Sequence, residues 1–272
     1  MIQKFSKSKI SMMSTFLLAM FIFCMTGFSQ ERFLMNSKER FAFKKATQYF
    51  TEGKILFDKE NYKKSLKFFN KCLKQFPSHS DALFYKSQIQ YKSGEFPEAL
   101  GSIESAKKNF EKFAAIKTNT QLEYFANLRE RKSKLESDLI DLKSRLANTN
   151  TTSSNIKSPL ESTIDSLTND LSLINERLKN QVPEVMKTPA NYFYVHGNIN
   201  IKFKKFSEAY DQFIKAVEAD PEHGEALNNL ATISYMAKKY KEALQFINMA
   251  ESKKLKINEK LKEAIVNSLK KN

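Results

Sequence analysis

The chain has no tryptophan, and its 272 residues include only 6 glycines, 6 prolines, 2 cysteines and 3 histidines. So few glycines and prolines exclude a fold built on many tight turns, and collagen-like or low-complexity chains with it. One cysteine, Cys24, falls in the N-terminal segment considered below. Without it Cys72 is alone and has no intramolecular disulfide partner, so stability must come from packing. His79, His196 and His223 are scattered, with no metal-ligand spacing; two are expected in loops and one in a helix. There is no glycine-rich phosphate loop, no Gly-x-Ser-x-Gly turn and no His-Glu-x-x-His helix. Nothing in the sequence argues for an enzyme, a cofactor or a bound metal.

What is abundant is phenylalanine, 23 residues, and charge, 45 Lys and Arg against 30 Asp and Glu. The first thirty residues stand apart. Lys4, Lys7 and Lys9 precede an uncharged apolar run from Met12 to Phe28, which ends in the small pair Gly27 and Ser29. That is the pattern of a secretory signal peptide, residues 1–29, with cleavage after Ser29; an uncleaved anchor is the alternative. The mature chain is therefore expected in a periplasmic or extracellular compartment, with no stable membrane span, and keeps a net charge of about +12. Its cations are mostly lysines interspersed with acids rather than clustered arginine forks, so nucleic acid is not an expected partner.

A spacing pattern recurs four times. Gly53, Leu56, Tyr62, Ser65, Phe69, Cys72 and Pro77 repeat at a shift of 34 as Ser87, Gln90, Phe96, Ala99, Ile103 and Ala106. A second pair comprises Gly197, Asn200, Phe206, Ala209, Phe213, Ala216 and Pro221, then Ala231, Ser234, Tyr240, Ala243, Ile247 and Ala250. The physical logic is a helix-turn-helix unit. A small residue on the first helix admits the second closely, an aromatic opens the second helix, and a small residue three further on fits back against the first.

In "YFTEGKILFDKENYKKSLKFFNKCLKQFP" and "YVHGNINIKFKKFSEAYDQFIKAVEADP" the chain resembles the tetratricopeptide repeat family, over residues 46–113 and 190–257. The resemblance implies an all-α helix-turn-helix solenoid in two blocks. It also implies a concave groove lined by the first helices, which takes a protein or peptide of unknown identity. The groove positions are Phe50, Lys54 and Phe57; Phe84, Gln88 and Tyr91; Tyr194, Asn198 and Ile201; and Asn228, Asn229, Thr232 and Tyr235. Aromatics there bury large area at low entropic cost, and amides can both donate to and accept from a peptide backbone.

Between the blocks, Leu128, Leu135, Leu139, Leu142 and Leu146, then Leu160, Ile164, Leu167, Leu171, Ile174 and Leu178, form two narrow apolar seams joined by the polar stretch "NTNTTSSNIKSP". Residues 114–189 are expected as a coiled-coil-like antiparallel hairpin that packs on itself, with a homo-oligomer through either helix left open. Residues 30–113 then hold a lead-in helix and two repeat units, 190–257 two more units, and 258–272 a capping helix with Leu261, Ala264, Ile265 and Leu269 on one stripe. Asn36 and Glu39 are spaced for a capping box at the start of the lead-in. The functional expectation is an exported scaffold that binds a protein segment through the groove; the alternative is an oligomerising protein that acts through its hairpin.

Overall fold

In a computed structural model of the chain, residues 35–148, 154–179 and 187–271 are described below; the expected signal peptide lies outside them. Every regular element among the described residues is helical: α1 (Ser37–Asp58), α2 (Tyr62–Gln75), α3 (Ser80–Lys92), α4 (Phe96–Ala147), α5 (Ser154–Lys179), α6 (Ala190–Lys202), α7 (Phe206–Ala219), α8 (Gly224–Met236), α9 (Tyr240–Ser252) and α10 (Glu259–Lys271). The four second helices begin at the aromatics Tyr62, Phe96, Phe206 and Tyr240, as the spacing required. The capping box forms too: the Asn36 side chain accepts from Glu39 N at 3.0 Å, and the Glu39 carboxylate accepts from Asn36 N at 2.9 Å.

Each first helix stops by the same device. Glu60, Gly94, Lys204 and Lys238 take left-handed φ values of 57°, 81°, 58° and 60°. The following N–H then reaches back to the last turn, in Asn61 N to Leu56 O at 2.9 Å, Glu95 N to Gln90 O at 2.9 Å, Lys205 N to Asn200 O at 3.0 Å and Lys239 N to Ser234 O at 2.9 Å. Only Gly94 adopts that conformation without steric cost.

Small and large residues interlock inside each unit. Phe69, Cys72, Phe213 and Ala216 are fully buried. The rings of Phe69 and Phe213 lie where side chains on Gly53 and Gly197 would stand. Buried Ser65 donates from Oγ to the Gly53 carbonyl at 2.8 Å, so its polar atom is satisfied where alanine is more usual.

The halves meet without a gap. Helix α6 packs directly on α3 and α4: Tyr192 stacks parallel on Phe84 with centroids 4.4 Å apart, and Phe110 meets its edge at 5.5 Å. The Tyr192 hydroxyl donates to Asp81 Oδ1 at 2.8 Å, and Ser80 Oγ donates to the Ala106 carbonyl at 2.6 Å in the same joint. Two blocks separated in sequence thus form one array, with the inserted residues looped out from it.

The insertion begins inside a helix. α4 carries on from the second unit to Ala147, so residue 113 is an interior position of α4 and not an end. α5 returns alongside it. Leu128, Leu135, Leu139, Ile164 and Ile174 are buried between the two, and Arg131 pairs with Asp170 at 3.1 Å. α5 starts at Ser154, within the stretch expected as a polar loop, whose residues 149–153 lie outside the described ones, and holds Pro159. At that early position the missing N–H removes a single intrahelical bond. At the other end, fully buried Ile265 of α10 packs with Ile247 and Leu261, closing the array. None of the described helices is long and apolar enough to cross a membrane.

Candidate peptide groove and adjoining cleft

Helices α1, α3, α6 and α8 are the first helices of the four units, and they carry the expected groove residues. On α1, half-buried Phe50 lies 4.9 Å from the His79 ring, and Phe57 packs edge-on against Tyr62 and Tyr85 at 5.5 and 5.0 Å. Lys54 pairs with Asp58 and sits 5.3 Å over the Tyr85 ring; the bond to Asp58 holds its ammonium above the usual lysine range. On α3, Gln88 and Tyr91 are half-buried, Tyr91 against Phe96 at 5.6 Å. Phe84 is buried in the joint with Tyr192 and is not displayed to a ligand.

In the second half, Tyr194 rests on Phe213 and His223 at 5.9 and 4.7 Å, and Ile201 is partly buried beside them. Asn229 donates from Nδ2 to Asn198 Oδ1 at 3.0 Å, which places the two amides side by side. Asn228 is otherwise engaged: its Nδ2 donates to Lys256 O at 2.9 Å and its Oδ1 accepts from Asn258 N at 3.0 Å, fixing the segment before α10. Thr232 is exposed, with its hydroxyl on the Asn228 carbonyl, and Tyr235 packs on Tyr240 at 5.6 Å.

Three features were not expected. Tyr85 is the centre of an aromatic group with Phe50, Phe57, Phe69 and Phe84. It occupies the place that Asn229 holds in the second half, as Lys54 does for Asn198, so aligning the two halves would have found it. The second feature is a cleft of about 840 Å³, bounded by α1, the start of α3 and the part of α4 beyond the repeat. Phe43, Thr47, Phe50, His79, Phe113 and Tyr124 line it, and Arg40 bridges to Glu123 across its edge at 2.9 Å. Its signals were the extra length of α1 and the apolar positions Phe113 and Ile116 continuing the period of α4.

Third, the two expected loop histidines are buried. His79 and His223 are 2% and 7% exposed, and each accepts at Nδ1 from the N–H three residues on, Ala82 and Ala226, at 3.3 Å. They are helix N-caps. Burial pushes the His79 imidazole down to about 3. The third, His196, accepts at Nδ1 from Lys107 Nζ at 3.0 Å while Glu104 lies 3.9 Å from Nε2; burial, then the Lys107 charge, holds it down at about 4. Lys107 also donates to Gln212, and burial lowers its ammonium to about 8. Among the described residues no three His, Cys, Asp or Glu side chains converge in a way that could hold a metal ion. Burial drives the Cys72 thiol up to about 12, which leaves no thiolate for chemistry.

These shifts set a pH dependence. A histidine whose folded pKa lies below its unfolded value of about 6.5 binds fewer protons when folded, so its contribution is present above pH 6.5 and lost as pH falls through the folded value. For His196 the window is pH 6.5 down to about 4. Thermal melts followed by circular dichroism should drop across that window, by up to about 3 kcal/mol from this residue. In His196→Gln, which keeps an acceptor for Lys107, the slope should flatten; an unchanged slope would contradict the assignment.

The tetratricopeptide repeat family model matches residues 50–112 and 194–254. Both stretches are tetratricopeptide repeats. The fold is that of a scaffold for protein interaction, with four repeats stacked through the joint at Tyr192. Solved structures of the same class align at low identity. A thermophilic tetratricopeptide repeat protein of Thermus thermophilus is 16% identical, with 82% of this chain and 98% of that chain covered and a TM-score of 0.35. PilW, described as a widely conserved type IV pilus biogenesis factor, is 15% identical, with 86% and 87% covered and a TM-score of 0.38. PilF of Pseudomonas aeruginosa is 17% identical, with 77% and 76% covered and a TM-score of 0.33. At such scores the assignment rests on the family match and the repeat geometry. No curated protein matches the chain in sequence.

Proposed function

We propose that the protein is an exported, non-catalytic scaffold in a cell-envelope assembly, which holds a segment of another protein against α1, α3, α6 and α8. The observation that supports this most is the Asn198 and Asn229 pair. One hydrogen bond joins the two amides, and the Asn198 amide group and the Asn229 carbonyl keep a donor and an acceptor without a partner among the described residues. A peptide backbone offers the complementary acceptor and donor. Tyr194 and Ile201 beside them supply half-buried apolar surface. Export is read from the N-terminal sequence pattern alone, and cleavage after Ser29 is checked by sequencing the mature N-terminus.

The test is recovery of partners from envelope extract by the wild type and by Tyr194→Ala/Asn198→Ala/Asn229→Ala. The variant should lose its partners at least tenfold, corresponding to about 1.4 kcal/mol or more. Equal recovery would sink the groove.

A second reading places function on the hairpin, where Ile140 and Leu173 are 72% and 53% exposed. Because the array closes through Tyr192, replacing Leu128–Leu178 by a short linker should leave the repeats folded. Partner capture that survives this replacement supports the groove, and its loss supports the hairpin.

A further inference from the structure

Helix α2 carries Lys63, Lys64, Lys67, Lys71 and Lys74 and no acidic residue. At 3.6 residues per turn all five fall within an arc of about 100°. That arc lies opposite the buried face of Ser65, Phe69 and Cys72. All five are exposed, and among the described residues none forms an ion pair with a side chain. Lys71 lies over the half-buried rings of Phe68 and Tyr49, at 4.9 and 5.8 Å.

The other three repeats act as internal controls, since the same scaffold positions recur in each. They hold Pro97, Glu98, Gly101, Ser105 and Lys108 on α4; Ser207, Glu208, Asp211, Lys215 and Glu218 on α7; and Lys241, Glu242, Gln245, Met249 and Ser252 on α9. Those sets are neutral or acidic, which is how a solvated repeat face looks when packing alone decides it. The fold therefore does not require lysine at these sites. Five like charges on one stripe also repel one another, a cost that no ion pair among the described residues offsets.

We propose that the outer face of α2 docks the protein on an anionic phospholipid surface. Two observations choose a bilayer over other polyanions. The apolar run Met12–Phe28 ends nine residues before α1 begins at Ser37, so while the run is still attached, before cleavage after Ser29 or in the uncleaved alternative, the first repeat is the part of the array nearest the membrane that engages it. The end of α2 lies beside the start of α1, as Phe43 and Phe76 meet at 5.2 Å, so Lys71 and Lys74 stand at the end where the run enters. Lysine ammonium groups, held on flexible stems and flanked by Phe68 and Tyr49, suit a fluid layer of headgroups rather than a fixed fork-like site. The surface is separate from the groove, and its occupation leaves α1, α3, α6 and α8 free for a protein segment.

The test is co-sedimentation of residues 30–272 with vesicles of phosphatidylcholine alone or with phosphatidylglycerol, after a cooperative melt shows that the array is folded. The wild type should partition to the anionic vesicles at least thirtyfold better than to the neutral ones, and lose this in high salt. Lys63→Gln/Lys64→Gln/Lys67→Gln/Lys71→Gln/Lys74→Gln should abolish most of the difference with its melt unchanged. A control, Lys238→Gln/Lys241→Gln/Lys253→Gln/Lys254→Gln/Lys256→Gln, removes the same charge from the far end and should bind nearly as the wild type does. Equal loss in both variants would reduce the effect to net charge and overturn the proposal. Retention of a heparin or oligonucleotide probe without vesicle binding would do the same, assigning the stripe to another polyanion.

Discussion

Replacing Gly197 by valine should cost the array about 3 kcal/mol or more, among the largest effects of any single side chain added to it. A Cβ at this position would stand 2.5 Å from the Phe213 ring, and at Gly53 2.7 Å from Phe69. Neither ring has room to yield, since Phe69 and Phe213 are fully buried. Helix propensity favours the substitution by only about 1 kcal/mol at best, so overpacking wins. The sequence carries the remedy within itself. In the two repeats where the small residue is larger than glycine, Ser87 and Ala231, the facing position is Ile103 and Ile247 instead of phenylalanine. Gly197→Ala alone should therefore destabilise by roughly 1–3 kcal/mol, and Gly197→Ala/Phe213→Ile should recover most of that by reproducing the fourth repeat. Urea melts of the two single variants and the double variant give the coupling energy. A coupling near zero would mean that the interlock of glycine and ring does not hold the pair of helices together.

That pairing was readable beforehand because it is local. Residues sixteen apart on one helical hairpin meet whatever the rest of the chain does, so the spacing that joins Gly53 to Phe69 also predicted the helix starts at Tyr62 and Phe206. The joint between the halves was not readable. Asp81 and Tyr192 belong to no repeated spacing, and their meeting depends on how the inserted hairpin returns the chain to the array. The buried histidines were missed for another reason. A polar residue after a repeat-ending proline looks like solvated loop, and only the three-dimensional path shows that it caps a helix under the rings of Phe50 or Tyr194. Of the groove residues, Asn198 and Asn229 lie side by side, while Asn228 is taken by the segment before α10. Phe84, by contrast, was claimed by the joint, because Tyr192 covers it.

Tyr192→Ala should be among the most damaging truncations of the described residues, at about 4 kcal/mol. The ring is 2% exposed, stacks on Phe84 and meets Phe110, so its loss opens a cavity in the joint between the two halves. Burial, and then the nearby Asp81 charge, push the phenol far up from its usual range, so it stays protonated and donates to Asp81 at any ordinary pH. Tyr192→Phe keeps the stack and removes the hydroxyl, which donates to Asp81 and accepts from Ser80 Oγ at 3.3 Å. It should cost about 1–2 kcal/mol, because Asp81 retains Lys117 at 3.8 Å but loses its buried partner. The form of the unfolding curve matters as much as its midpoint. Repeat arrays are stabilised through interfaces between neighbours, so weakening this interface should split one cooperative transition into two, with α6 to α10 separating from α1 to α4. Circular dichroism melts and hydrogen exchange, read separately for the two halves, check this. A single transition in Tyr192→Ala at the wild-type midpoint would show that the halves do not stack through this ring.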